Sequence, residues 1–559
     1  MTSRTRISPP DTTADDHELG EHDHSREWSP EQDQDFGRSR CVDDHELGTA
    51  RSGLIRLRSH RARRGRRSAL ITAILTGLAW AGVMLARLFA GGPVGVGDQG
   101  DGRRLLCTFG AANGRPWNAD TSDYVFTAWV PHAWFGETCE LYRSTQLGLL
   151  WLAKQVNGPL GLPGLVDLRG LGVLSTLLVG VIVGLLAWLL PGRWWVRAGA
   201  ASAIGLVYAD AAFAGFFVSP HTEPAALLGV GFLLAALLLL GRGATLPRLL
   251  LTTIVAIFTI GAQVQTAALA VPVCVALIWL PYRRLVRWRW AGPVLRRIPG
   301  IVLSLVVIAA ASFHLAAQPE TQMEAARHGV VFGSILYGNT GAAKDLQDLG
   351  FDAPSAAAIS EIAATNAGVG SLPPVLVAMF KENVTTAGIV AFYLTHPAHA
   401  VRAVGWGLEG IGRFSVDYLG SYPPDAGLPP GAREHRIAAY SWFWGTFRVA
   451  PAFLLLLWVA TFAAGRSVVR RRRVKPARKA VGRLAMLVPL MIVAQFGAVL
   501  ILLGRADITR HLTVVSFLTA VCIPLLTLAL CIRFRGVRPN PRRRDAPGMP
   551  NSCKPELVR

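Results

Sequence analysis

Apolar runs of about eighteen residues or more, separated by short basic clusters, constrain this chain more than any other feature. The first, Ser68 to Ala90, follows a segment carrying Arg56, Arg58, Arg61, Arg63, Arg64, Arg66 and Arg67. Others run from Leu168 to Leu190, from Pro224 to Arg242 and from Leu484 to Leu503. A run buried in lipid must satisfy its backbone hydrogen bonds internally, so each reads as a helix. Only 17% of the 559 residues are charged, 51% are hydrophobic, and the mean hydropathy is +0.36. A net charge of +21 suits a nucleic-acid partner in principle. Here, however, the Lys and Arg residues fall between the apolar runs, which is the pattern of cytoplasmic loops, and no nucleic-acid partner is expected.

Counting runs against basic clusters gives an all-α polytopic membrane protein of about ten transmembrane helices with both termini cytoplasmic. The compositional bias to Arg, Ala, Leu and Gly points to a GC-rich bacterial genome, hence to a bacterial inner membrane. Leu249 to Pro281 reads at first as one long span. Arg242 and Arg248 precede it and Arg283, Arg284, Arg287 and Arg289 follow it, so the crossing number there is even. It is therefore read as two short spans hinged near Gln263 and Gln265. Residues 1–50 are polar, acidic and His-containing, and carry the repeat Asp15–Gly20 and Asp43–Gly48. They have too little apolar surface to fold and are expected to be a disordered cytoplasmic tail. Residues 51–67 form a basic juxtamembrane segment suited to anionic lipid, 68–534 the transmembrane domain, and 535–559 a basic cytoplasmic tail.

Two large extracytoplasmic loop regions are expected, about 91–167 and 318–449. The first opens with Val96-Gly97-Asp98-Gln99-Gly100-Asp101-Gly102-Arg103-Arg104, two carboxylates on a backbone whose glycines allow tight turning. It also holds Cys107 and Cys139, two of seven cysteines, for which a disulfide and two free thiols both fit. The second is rich in Gly and Pro, so short helices on the membrane face are expected, as in the stretches Pro373 to Phe380 and Ala387 to Leu394.

With this topology the ionisable residues near span ends converge on one side. Asp98, Asp101 and Arg103 follow span one, and Asp210, His221 and Glu223 flank the turn between spans three and four. Gln263 and Gln265 mark the next outer turn, and Arg505, Asp507, Arg510 and His511 the last. Such groups near membrane depth are costly and by default line a polar cavity. Taken singly, each also reads as a helix cap or structural ion pair. Together, acids at one turn and cations at another suit glycosyl transfer from a lipid-phosphate donor. A carboxylate removes the acceptor's proton, and arginine neutralises the departing phosphate. Asp98 or Asp101 would be the base and Arg510 with His511 the phosphate clamp; spacing does not separate the two aspartates.

The long acidic first loop, paired short spans, broad second loop and Arg-His turn resemble the GT-C superfamily of polytopic glycosyltransferases. More narrowly, Gly97–Gly102, Ser219–Pro224, Phe392–Pro397 and Asp507–Leu512 resemble WsfD-type hexosyltransferases of bacterial cell-surface glycan assembly. The likeness runs from about Ser68 to Phe534. It implies a polyprenyl-phosphate sugar donor, a glycan or lipid-linked acceptor, and catalysis by the first-loop acids. Some members of the superfamily use a divalent cation and others none. Asp98-x-x-Asp101 does not have EF-hand spacing, and no metal ligand is assigned. A transporter or flippase of lipid-linked sugars would place charges within spans and show inverted repeats. A glycan ligase or polymerase also fits large outer loops.

Overall fold

The computed structural model describes residues 44–113, 122–132, 139–282, 292, 294–365, 372–446, 450–505 and 507–535, with side chains from 67 to 534. The tail before residue 44, the basic residues 283–289 and the tail from 536 lie outside the described residues. Helix α1 (Asp44–Phe89) leads to a loop region with α2 (Asp101–Leu106) and α3 (Gln146–Asn157). Then come α4 (Leu168–Leu189), α5 (Trp194–Ala209), α6 (Glu223–Gly241), α7 (Leu246–Ile260), α8 (Ala270–Trp279) and α9 (Ile298–Ala316). The second loop region is built of shorter helices, as its Gly and Pro content led us to expect. These are α10 (Glu320–Val330), α11 (Ala342–Asp348), α12 (Ala353–Ala364), α13 (Pro374–Asn383), α14 (Thr386–Thr395), α15 (Pro397–Arg413) and α16 (Ala439–Gly445). Helices α17 (Ala452–Arg470), α18 (Pro476–Leu502), the single turn α19 (Ile508–His511) and α20 (Thr513–Arg535) close the chain.

Among the described residues seven helices are long and apolar enough to cross a membrane, or eight if the bent pair α13–α14 is one span: α1 through its stretch Arg67–Phe89, α4, α6, α9, α17, α18 and α20. The chain is a multi-pass membrane protein. Three segments read from sequence as spans are shorter: α5 has 16 residues, α7 has 15 and α8 has 10. At about 1.5 Å per residue none of these reaches the roughly 30 Å of a hydrocarbon core. The break between α7 and α8, 261–269, contains the expected hinge at Gln263 and Gln265 and ends in a 3-10 turn, Gln265–Leu269. A backbone bridge between Ala244 and Tyr282 brings the start of α7 beside the end of α8. The segment is thus a helical hairpin rather than one long helix. Helices α13 and α14, also apolar, meet at a bend of 72°.

Helix α6 is buried almost throughout, whereas α1 exposes Leu70, Ile71, Ile74, Leu75 and Leu78 along one side. In a membrane that side suits lipid. Helix α1 approaches α4 closely because small residues meet there: a Cβ on Gly77 would sit 2.8 Å from the carbonyl oxygen of Gly180.

The two loop regions are knitted together by their backbones. Gly95 and Gly97 donate to the carbonyls of Ser421 and Gly420 at 3.0 and 2.9 Å, and Val125 donates to Tyr422 at 3.0 Å. A buried ion pair, Arg87 with Glu434 at 3.6 Å, pins the same segment to the end of α1. A small antiparallel sheet, β1 (Ala111–Ala112), β2 (Ala128–Pro131) and β3 (Val166–Asp167), braces the first loop. Cys107, directly after α2, forms a disulfide with Cys139. Asp210 caps rather than lines a cavity: its carboxylate accepts from the amides of Ala212, Tyr440 and Ser441 at 3.1, 2.7 and 3.2 Å.

Candidate functional site

The loop before α2 is folded by its own first aspartate. Asp98 Oδ1 accepts from the amides of Gly100 and Gly102 at 2.8 and 2.9 Å. Gly100 takes φ 107°, a left-handed conformation that costs glycine little. Gly102 is fixed by space: a Cβ there would meet Asp98 Oδ2 at 2.6 Å and Trp129 Cη2 at 2.7 Å. Asp98 Oδ2 is buried and has no partner. Burial pushes this carboxyl up, against the pull of His221 and the two amides. Asp98 therefore shapes the turn.

Asp101, at the first position of α2, faces outward into a cavity of about 290 Å³. Its carboxylate pairs with Arg510 of α19, with Arg104 at 3.5 Å and with His221 Nδ1 at 3.7 Å. Burial opposes its charge, but Arg510, His221 and Arg104 outweigh that and hold the carboxyl well below its usual range. His221 is fully buried and its Nε2 lies 2.8 Å from the carbonyl oxygen of Gly97. Since a carbonyl only accepts, Nε2 carries a proton, and Nδ1 turns toward Asp101. Burial works against a charge on this ring, yet Asp101 and Glu223 raise its pKa overall.

Arg510 is the hub. It donates to Gln99 Oε1 at 3.0 Å, pairs with Asp101, and places Nε 3.6 Å from Glu223 Oε1 at the start of α6. Burial alone would weaken its charge; the surrounding Asp101, Glu223 and Asp507 more than compensate. His511 beside it is different: burial and the neighbouring Arg510 push its pKa down to about 4. It is uncharged near neutrality, so it offers the cavity a hydrogen bond and no charge. Gln263 donates to Thr222 Oγ1 at 2.9 Å and Gln265 to Gln263 Oε1 at 2.8 Å, and both line the cavity with Glu223.

Arg505 stands apart from this group. Its guanidinium lies 3.9 Å from the ring centre of Tyr337 and 5.4 Å from that of Trp406, a cation–π stack. It lines a second cavity of about 360 Å³. Asp507, with φ 49° at the entry to α19, lines both cavities and so joins them. Among the expected residues, Asp101, Glu223, Gln263, Gln265, Asp507, Arg510 and His511 line the first cavity. Asp98 and His221 sit behind it, and Arg104 rather than Arg103 reaches it. Gln99, Tyr142 and Gln322 also line it and were not singled out as site residues. Gln99 lies inside the nine-residue stretch that opens the first loop, and Tyr142 in its aromatic-rich part. Gln322 arrives on α10, and nothing near it in sequence marks it.

No curated protein matches the chain. The YfdI N-terminal transmembrane domain family matches it over residues 58–545. That is most of its length, and the chain belongs to this family.

Proposed function

We propose that this protein is a membrane glycosyltransferase that takes a hexose from a polyprenyl-phosphate donor and transfers it, with inversion, to a cell-envelope glycan or lipid-linked acceptor. In this reading about ten helical segments cross a bacterial inner membrane, α5, α7 and α8 as short spans, and the two cavities open on the extracytoplasmic side. The observation that carries the reading is the half-buried carboxylate of Asp101, paired with Arg510 at the wall of one cavity, with the cation Arg505 in the adjoining one.

Asp101 is the general base. The acceptor oxygen attacks the anomeric carbon, its proton passes to the carboxylate, and the phosphate departs with the bonding electron pair. Arg510 and His221 hold the carboxylate in place. Base and leaving group lie on opposite faces of the carbon attacked, so a cation touching the base is badly placed for the phosphate. Arg505, one cavity away beyond Asp507, is better placed, and Tyr337 and Trp406 beside it suit a sugar face or prenyl chain. Arg104 at the cavity mouth adds positive charge toward an anionic headgroup.

The test is transfer of labelled hexose from polyprenyl-phosphate hexose in membranes carrying wild type, Asp98→Asn, Asp101→Asn or Arg505→Gln. Asp101→Asn is expected to lose about a hundredfold or more in kcat, Arg505→Gln to act mainly on the donor's KM, and Asp98→Asn to stay within about tenfold. Full activity in Asp101→Asn would overturn the assignment of the base. A wild type that transfers nothing from any carrier-linked hexose would overturn the reaction.

A further inference from the structure

We propose that Asp345, Asp348, His396 and His399 bind one zinc ion that clamps α11 to the junction of α14 and α15, outside the cavities described above. Asp345 and Asp348 lie one turn apart on α11 and therefore on one face. His396 precedes α15 and His399 lies in its first turn. The ligand atoms of Asp345, Asp348 and His396 all lie within 4.8 Å of one another. His396 Nε2 is 3.1 Å from Asp348 Oδ2, and His399 Nε2 is 3.1 Å from Asp345 Oδ2. Zinc bonds of about 2.0–2.2 Å imply a tetrahedral ligand–ligand edge of roughly 3.4 Å, so Asp345, Asp348 and His396 need only draw together, and His399, outside that group but 3.1 Å from Asp345, turns in as the fourth ligand.

Hydrogen-bond direction supplies a second argument. His396 Nδ1 lies 3.0 Å from the carbonyl oxygen of Phe392. The carbonyl only accepts, so Nδ1 donates to it, and Nε2, the nitrogen facing Asp348, is the one placed to take a metal. Fixing a ligand histidine through its other nitrogen to a backbone carbonyl is the usual outer-shell arrangement of metal sites. Asn339 plays the same part for Asp345, donating to its Oδ2. Two imidazoles and two carboxylates suit zinc, whereas calcium and magnesium favour oxygen-only sets.

The site is reachable and has consequences. The side chains of His396 and Asp348 are 27% and 39% exposed. Further along, α15 carries Trp406, Glu409, Gly410 and Arg413 into the wall of the second cavity. A metal at its first turn would fix that wall through the helix.

The experiment uses the full chain, purified in detergent without a histidine tag, loaded with zinc and freed of loosely held metal. Wild type is expected to retain one more equivalent per chain than His396→Ala/His399→Ala or Asp345→Asn/Asp348→Asn. Its melting temperature should rise by a few degrees on zinc addition and fall with chelator, with neither change in the variants. Cobalt in place of zinc should give a tetrahedral absorption spectrum in wild type alone. Because the tail also contains histidines, only the difference between wild type and variants counts. Equal metal content in wild type and in variants that fold and melt like it would overturn the proposal. So would a melting temperature of wild type indifferent to zinc and chelator.

Discussion

The carboxylate of Asp98 spends one oxygen on two loop amides and buries the other without a partner, so ionising it is opposed by burial. A folded-state pKa above the unfolded value means that the native state holds its proton longer as pH rises. Stability is then lost as pH climbs from about 4, the unfolded value, to the raised folded value, and the penalty persists above it. Asp98→Asn keeps an acceptor for both amides and removes the charge. We therefore expect it to melt with wild type in acid and above wild type near neutrality, the gap opening upward from about pH 4. Asp98→Ala should cost about 1–3 kcal/mol in acid, because both amides lose their acceptor, and less as pH rises, because it also removes the buried charge. Thermal unfolding in detergent across pH checks both. A gap that closes with rising pH would contradict the burial of this carboxylate. Asp101, three residues on, has the opposite sign: its depressed pKa contributes stability above the unfolded value that is lost as pH falls. Spacing alone could not tell these two aspartates apart, because the difference comes from Arg510, more than four hundred positions away in the chain.

Helix α2 is a single short turn-and-a-half that no helix of its length would hold in isolation. It is held by the Asp98 turn at its start and by the Cys107–Cys139 disulfide just past its end. With the cysteines 32 positions apart, loop-closure entropy puts the bridge at about 3–4 kcal/mol. Cys107→Ser/Cys139→Ser is expected to melt lower by that measure and to loosen Asp101 in the cavity wall. Non-reducing peptide mapping should recover the linked pair from wild type. Recovery of two free thiols, or a double variant as stable as wild type, would refute the bridge. Other elements differ in how readily sequence discloses them. The α7–α8 hairpin was legible because arginines on both flanks demanded an even crossing, and Gln263 and Gln265 marked the turn. The placement of Arg505 was not: it lies in one short turn with Arg510, yet it stacks on Tyr337 and Trp406 of other elements and faces another cavity. Periodicity and charge report an element's own faces, whereas these contacts are made between elements far apart in sequence.

The arrangement of the whole chain follows from a few long-range attachments. Arg87 at the end of α1 pairs with Glu434, and Gly95 and Gly97 bond to the backbone at Ser421 and Gly420, so both loop regions meet at that end of α1. At the other side, Ala244, Tyr282 and Arg296 meet through the bridge at the hairpin base and the Tyr282 amide. That base is rich in arginine, and the proposed orientation puts it in the cytoplasm, where basic flanks of multi-pass proteins usually lie. If the chain crosses ten times, a probe placed near the hairpin base and one placed in the second loop region must report from opposite sides. Val294 and Leu428 are exposed positions for this, at 70% and 41%. In a background with the free cysteines replaced, Val294→Cys should react with an impermeant maleimide only after the membrane is opened. Leu428→Cys should react in intact cells. Labelling of both from one side would mean that α9 does not cross between them. The two sides exchanged would mean that an odd number of α5, α7 and α8 fail to cross, and that the cavities holding Asp101 and Arg505 face a different compartment from the one a lipid-linked sugar donor requires.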